Sequence, residues 1–578
     1  MLAKRYGPVT AIGLAMMLAV GCAAPAPATP GPATQTPATS GPGTSAPTAA
    51  PSAEQPSPDG PEGELNIGLP LVGPFSCQPR LTESAVAGRA VATSGAYEPL
   101  VTSDAEGNYV GLLAESWSVA DDQTTWTFNL RRGVQFHKGY GEMTADDVIY
   151  SLTEHAREDS LNGNRANLER LLQSIEAPDP YTIVINTGTP QIDLLFFLRG
   201  RIAGTAYIIS KAQADEVGEE SLAEVGCAGT GPWEYVESSA NEFWRFRAVE
   251  NHYRKTPAFE TLTLWEVPEE ATRIANFQRG QLDTMVASPD SLPVLLDTAG
   301  TEIMAPSGGI DMHLGIYGNY YVKTDEWPGW DPTLPWVSAD PDPESEEWQN
   351  AVLVRRALGL AIDRDAIVEE LLGGVGEPGG LWGWSKNTDA LDDDIRWEFN
   401  PDEARNLLEQ AGYPDGFDIT LNVRIAGAPA EVPACEAIAT MWTNIGLNVN
   451  FENIPNDGIR ESLVDRSYNG TICQAVGEVP EPINQYVNWA RSSAGFSGGI
   501  EHPVLDDLIS QATTTVDPEE RMEIQRQIAR FTFDNALDVG LYTAPLQWPI
   551  GPRVADWSEH FAFGDGRLLN ALEYASPR

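Results

Sequence analysis

Apolar positions along the chain fall into short alternating runs and into runs with helical spacing, divided by turn-forming residues. Residues 112–152 show both kinds. Trp126, Phe128 and Leu130 alternate with Thr127, Asn129 and Arg131, which predicts a half-buried strand. Gly133 and Gly139 mark the turns after it. Thr144 then precedes Ala145-Asp146-Asp147, a capping-box spacing that puts acid in the first helical turn, where the helix dipole favours it. Val148, Ile149 and Leu152 supply the apolar face of that helix. Further alternating strands are predicted from Glu64, over residues 181–186 after the turn Pro178-Asp179-Pro180, and over 261–267. Residues 269–277 read as a helix closed by Gly280, and 518–533 as the last helix. Strand alternating with helix predicts α/β architecture.

At 578 residues the chain is too long for one compact core, so two or three domains are expected. Lys4 and Arg5 precede an apolar run over residues 9–20, too short to span a bilayer comfortably, and residues 1–21 read as a signal peptide. Gly21 before Cys22 resembles a bacterial lipobox, which implies that Cys22 becomes a lipidated N-terminus. The rest of residues 22–63 is Pro, Ala, Thr, Ser and Gly with hardly a large apolar side chain. It is expected to be a disordered linker with a reach of at most about 3.1 Å per residue. No later apolar run is long enough for a membrane-spanning helix, so the expectation is a protein tethered to the membrane by its lipid. Eighty-three acidic residues against 36 basic ones leave a formal charge of −47. That disfavours nucleic-acid binding, which needs Lys and Arg to displace counterions. It suits a solvated surface and modestly attracts cations.

Several ordered strings then resemble one family. Ala114-Glu115-Ser116-Trp117, the run from Trp126 to His137, and Thr144-Ala145-Asp146-Asp147-Val148 resemble the extracytoplasmic solute-binding proteins of peptide-type ABC importers, family 5. Tyr97-Glu98-Pro99-Leu100-Val101, Gly229-Thr230-Gly231-Pro232-Trp233 and Asn251-His252-Tyr253 fit the same pattern. So do the stretches 352–368 and 400–417. The matching segments recur from about residue 64 to the C-terminus. The resemblance implies a two-lobed, three-domain clamshell of the periplasmic-binding-protein type (class II). Domain I would comprise residues 64–97, 230–311 and 541–578, domain II 98–229, and domain III 312–540. Residues 317–348, with Trp327, Trp330, Trp336 and Trp348, depart from the pattern and read as an insertion on the lobe or a ligand-facing wall.

In that family a strand ends at an acid three residues before an acid-Pro pair, and the acid grips a ligand's α-ammonium. Counting back from Glu481-Pro482 places Glu478 there. A carboxylate suits the task, because an ammonium withdrawn from water needs a charge-assisted partner. Here the acid is Glu, and Ala475 stands where the family carries tryptophan, which opens the way to a wider pocket. Family position also nominates Glu83, Ser84, Trp382, Trp384 and Phe496 as ligand contacts, while His137 lies in a stretch that is scaffold in the family. After Cys22, four cysteines remain in a disulfide-permissive compartment. Of their three pairings, Cys77–Cys227 with Cys435–Cys473 is expected, and buried free thiols are the alternative.

Other motifs carry less. Gly495-Phe496-Ser497-Gly498-Gly499 fits G-x-S-x-G, yet a polar loop surrounds it where a hydrolase elbow needs strand and helix. Gly374-Val375-Gly376-Glu377-Pro378-Gly379 follows a helix and contains proline, so it reads as a turn. No Walker A sequence occurs, histidines show no ligand spacing, and the acidic runs lack the calcium-loop pattern, so no cofactor or metal is expected. The resemblance implies a monomeric, non-enzymatic, lipid-anchored receptor that delivers a short peptide or related amine-bearing solute to an ABC permease and its ATPase. Alternatives are an opine, oligosaccharide or metal-chelate cargo, and, from another class, a secreted hydrolase using Ser497.

Overall fold

The computed structural model describes residues 60–81, 91, 93–162, 164–199, 206–305, 308–563 and 569–578. The segment read as a signal peptide, Cys22, most of the segment read as a linker, and Glu83 and Ser84 lie outside them. Among the described residues no helix is long and apolar enough to cross a membrane.

Three large sheets organise the chain. The first has seven strands, in the order Glu302–Met304, Trp548–Ile550, Thr284–Met285, Glu64–Leu69, Thr261–Glu266, Phe243–Ala248 and Trp233–Ser239. Glu64–Leu69 lies inside it, parallel to Thr261–Glu266 on one side and Thr284–Met285 on the other. Every residue of that strand except Glu64 is buried. The expected alternation is absent because a strand within a covered sheet is apolar on both faces. The second sheet is antiparallel: Ala114–Val119, Thr125–Leu130, Thr182–Asn186, Ser174–Asp179. Against it packs the helix Ala145–Ala156, whose Asp147 carboxylate accepts the Thr144 N–H at 2.9 Å, closing the capping box. Val148 and Leu152 are fully buried in the same core as Phe128 and Leu130. The third sheet runs Glu377–Pro378, Asp538–Ala544, Ile310–Ile316, Thr471–Gly477, Asp418–Ile425, Asn448–Pro455.

The chain crosses between the first and third sheets twice, side by side. Glu302–Met304 pairs antiparallel with Trp548–Ile550 in the first sheet, and Ile310–Ile316 pairs antiparallel with Asp538–Ala544 in the third. Met304 faces Trp548 on one side of the crossing, and Ile310 faces Ala544 on the other. Both third-sheet strands run across the junctions expected at 311/312 and 540/541.

Three of the family-like strings, at residues 97–101, 229–233 and 251–253, come together around one buried acid. Glu98, 2% exposed, accepts hydrogen bonds from Thr230 Oγ1 (2.9 Å), Tyr253 Oη (3.0 Å) and Arg254 Nε (2.7 Å), and Arg254 also pairs with Glu573. A Cβ on Gly231 would stand 1.9 Å from the Gly95 carbonyl oxygen, so only glycine fits where these two segments touch. Cys77 is bonded to Cys227 in the core of the first sheet, and Cys435 to Cys473 in that of the third.

The tryptophan-rich segment packs onto the third-sheet lobe. Trp336 and Trp348 are buried, donating from Nε1 to the Tyr317 carbonyl (2.8 Å) and to Asn535 Oδ1 (2.5 Å), while Trp327 and Trp330 are half-buried. The lobes meet through direct bonds: Ile192 N–H to the Thr513 carbonyl (3.1 Å), Arg460 Nη2 to the Leu161 carbonyl (2.9 Å) and Lys386 Nζ to the Glu106 carbonyl (2.6 Å).

Candidate functional site

Glu478 follows directly on the strand Thr471–Gly477, whose last residue faces Ile310 across the ladder. One residue beyond that pair, the Glu478 N–H donates to the Gly309 carbonyl at 3.0 Å, and the Gly309 N–H donates back to Glu478 Oε2 at 2.9 Å. The side chain is therefore held against one of the two interlobe crossings, half-buried. Nearby, Asn387 Nδ2 donates to the Pro480 carbonyl at 3.1 Å, beside the Lys386–Glu106 contact that joins the lobes.

A cavity of about 500 Å³ opens beside Glu478, and its lining includes Asp311, His313, Trp382, Tyr542 and Thr543. Residues 309, 311 and 313 share one face of their strand by its period of two. Asp311 Oδ1 accepts from Thr543 Oγ1 (2.8 Å) and Oδ2 from Ser385 Oγ (3.0 Å). Burial, and then the charge of Glu478, push its carboxyl up to about 7. His313 Nδ1 lies 2.8 Å from Asp538 Oδ1, and the other Asp538 oxygen accepts the Trp382 N–H at 3.0 Å. This carboxylate holds the imidazole flat on the Trp382 indole, with centroids 4.8 Å apart and planes at 8°. Among the described residues, His313 Nε2 and Trp382 Nε1 are buried and have no hydrogen-bond partner. Among the described residues the cavity lining carries Asp311, Glu377 and Glu478 and no Lys or Arg. Such an arrangement can hold a cation and offers aromatic faces beside it.

The sequence-nominated residues separate in space. Glu478 and Trp382 line the cavity. Trp384 does not; it is fully buried and donates from Nε1 to Tyr486 Oη at 3.3 Å. Phe496 is buried in another apolar cluster, stacked on Trp489 at 5.5 Å, and is also not in the lining. Ala475 faces Met312 and is likewise outside it, so the missing tryptophan does not widen this cavity. His137 is buried with Nε2 2.8 Å from the Gly231 carbonyl, and burial lowers its pKa. Ser497 is fully buried in a loop, its Oγ accepting the Gly499 N–H at 2.9 Å. Asp311, His313 and Asp538 were not nominated. For the first two the signal was a pair of polar residues at period-two spacing within the otherwise apolar strand Ile310–Ile316.

Residues 108–497 match the family described as "Bacterial extracellular solute-binding proteins, family 5 Middle". The dipeptide-binding protein of Escherichia coli K12 is 24% identical over 456 residues, covering 73% of this chain and 79% of that one. Heme-binding protein A of Haemophilus influenzae is 24% identical over 473 residues, covering 76% and 80%. Among solved structures, an ABC transporter-associated periplasmic binding protein from Helicobacter pylori in complex with peptide STSA aligns with a TM-score of 0.71 at 20% identity. It covers 89% of this chain and 98% of its own, and has the same two-lobed α/β fold. The chain therefore belongs to the bacterial extracellular solute-binding proteins, family 5.

Proposed function

We propose that this protein is the extracytoplasmic receptor of an ABC importer, that it encloses a short peptide or related amine-bearing solute between its lobes, and that it passes the cargo to a permease. The observation that carries the reading is Glu478: a half-buried carboxylate, fixed through one oxygen to the Gly309 N–H, beside a cavity whose lining, among the described residues, holds acids and no Lys or Arg. A cationic end of the cargo would neutralise it there, and a charge-assisted hydrogen bond shielded from water is a strong one. The names of the dipeptide-binding and heme-binding relatives support a family that carries more than one cargo type. An acid-lined cavity favours an ammonium over a sugar or an anionic opine.

The N-terminal reading completes the proposal: cleavage after residue 21, lipid on Cys22, and residues 23–63 as a tether. The three-domain division fits it, with the junctions moved to the ends of the two third-sheet strands. Chemical catalysis is not proposed.

Isothermal calorimetry with a panel of dipeptides tests the reading. Glu478→Gln should weaken a bound dipeptide by more than about tenfold, since removing one partner of a buried charge pair costs about 2–5 kcal/mol. Unchanged affinity would show that the acid serves only the Gly309 contact.

A further inference from the structure

We propose that the cavity beside Glu478 is a second cation subsite centred on Asp311, and that the preferred cargo is a compact dication, with two ammonium groups a few carbons apart. The inference rests on the reading of Glu478 as the contact for the first ammonium.

Four observations converge on it. Asp311 and Glu478 both line the cavity, on adjacent strands and next to diagonal in register, since Gly309 meets Glu478 and Asp311 faces Val476. Diagonal neighbours on one sheet face lie about 7–8 Å apart, a span that the two nitrogens of a lysine residue can bridge. Asp311 is 4% exposed and carries hydroxyl donors on both oxygens, but among the described residues no Lys or Arg stands in the lining to balance its charge or that of Glu478. A buried and a half-buried carboxylate without a cation repel each other, and the raised pKa of Asp311 reflects that repulsion on top of its burial. A single ammonium would leave one of them uncompensated, whereas two would satisfy both.

The remaining observations are independent of the acids. His313, 1% exposed, lines the same cavity. Its Nδ1 lies 2.8 Å from Asp538 Oδ1, so in the neutral imidazole the proton sits on Nδ1 and Nε2, which has no partner among the described residues, is the acceptor. An ammonium on Asp311 has three N–H bonds to place, and an imidazole lone pair takes one of them. The Trp382 indole, stacked on that imidazole and also in the lining, adds aromatic surface beside it. Buried polar atoms without partners are rare in native folds, and each calls for a ligand or a water.

The test is calorimetry at pH 7 with four probes: Lys-Ala, the near-isosteric neutral norleucyl-alanine, Ala-Lys and 1,5-diaminopentane. Lys-Ala should bind wild-type protein at least about tenfold more tightly than norleucyl-alanine, and Asp311→Asn should bring that ratio within about twofold. Ala-Lys, which carries its second charge too far along, should gain no such advantage. Equal affinity for Lys-Ala and norleucyl-alanine in the wild type overturns the second subsite while leaving the peptide reading intact, and needs no variant to fold. Binding of the diamine with none of the three peptides bound supports the dication site and removes the peptide reading. Absence of binding by all four overturns both.

Discussion

Removing the Glu98 carboxylate should destabilise the contact between the segments around residues 98, 230 and 254 by an amount the structure allows to be worked out. Glu98 is 2% exposed and accepts from three donors, of which Arg254 is charged and Thr230 and Tyr253 are neutral. In Glu98→Ala, Arg254 keeps Glu573, but its Nε and the two hydroxyls lose their acceptor. Breaking a buried pair by deleting one partner costs about 3–5 kcal/mol, so a loss of about 4 kcal/mol is expected. In Glu98→Gln the amide oxygen still accepts one bond and the hydroxyls can turn to accept from the amide nitrogen. Only the charge-assisted part is lost, about 2 kcal/mol. Urea unfolding followed by tryptophan fluorescence reads this directly, because Trp233 is buried in the core beside that contact. The reasoning fails if both variants unfold within about 1 kcal/mol of wild type, or if alanine and glutamine cost the same.

Two further outcomes are expected. The Cys77–Cys227 bridge closes 150 residues and Cys435–Cys473 closes 38, so the chain-entropy relation gives about 5 and about 4 kcal/mol. The double serine variant of the first pair should therefore be the less stable by about 1 kcal/mol in chemical denaturation, and the reverse order would reject the entropic account. In ligand-free protein, Asp311 holds its proton up to about pH 7 when folded, against an ordinary value of 3.8. Its contribution to stability is full below the lower value and fades as pH rises to the upper one. Between pH 5 and 7 the wild type should lose about 1.4 kcal/mol per pH unit relative to Asp311→Asn, and parallel stability curves would refute it.

What the sequence revealed was what local physics decides. The alternation of Trp126, Phe128 and Leu130 and the Thr144 cap depend on neighbours a few residues away, and both fold as read. The strand at Glu64 was legible as a strand but not as one covered on both faces, because its parallel partners are about 200 residues distant. Trp382 and Trp384 look alike in sequence, yet only the first lines the cavity; two residues along a turn suffice to send one ring inward to Tyr486. Asp311 and His313 stood out at period two, but that they share a cavity with Glu478 follows from antiparallel register, which no single strand encodes. Glu83 and Ser84 lie outside the described residues.

The paired crossings between the first and third sheets have a mechanical consequence. Two short connections whose flanking strands are laddered together in both sheets should act as a flat strap, flexing across its width far more readily than it wrings about its length. The expected motion of the lobes is therefore a single swing, like a door on one pin, with little freedom to slide or roll. Distance measurements between labels on the two lobes should accordingly trace one arc, whatever the cargo.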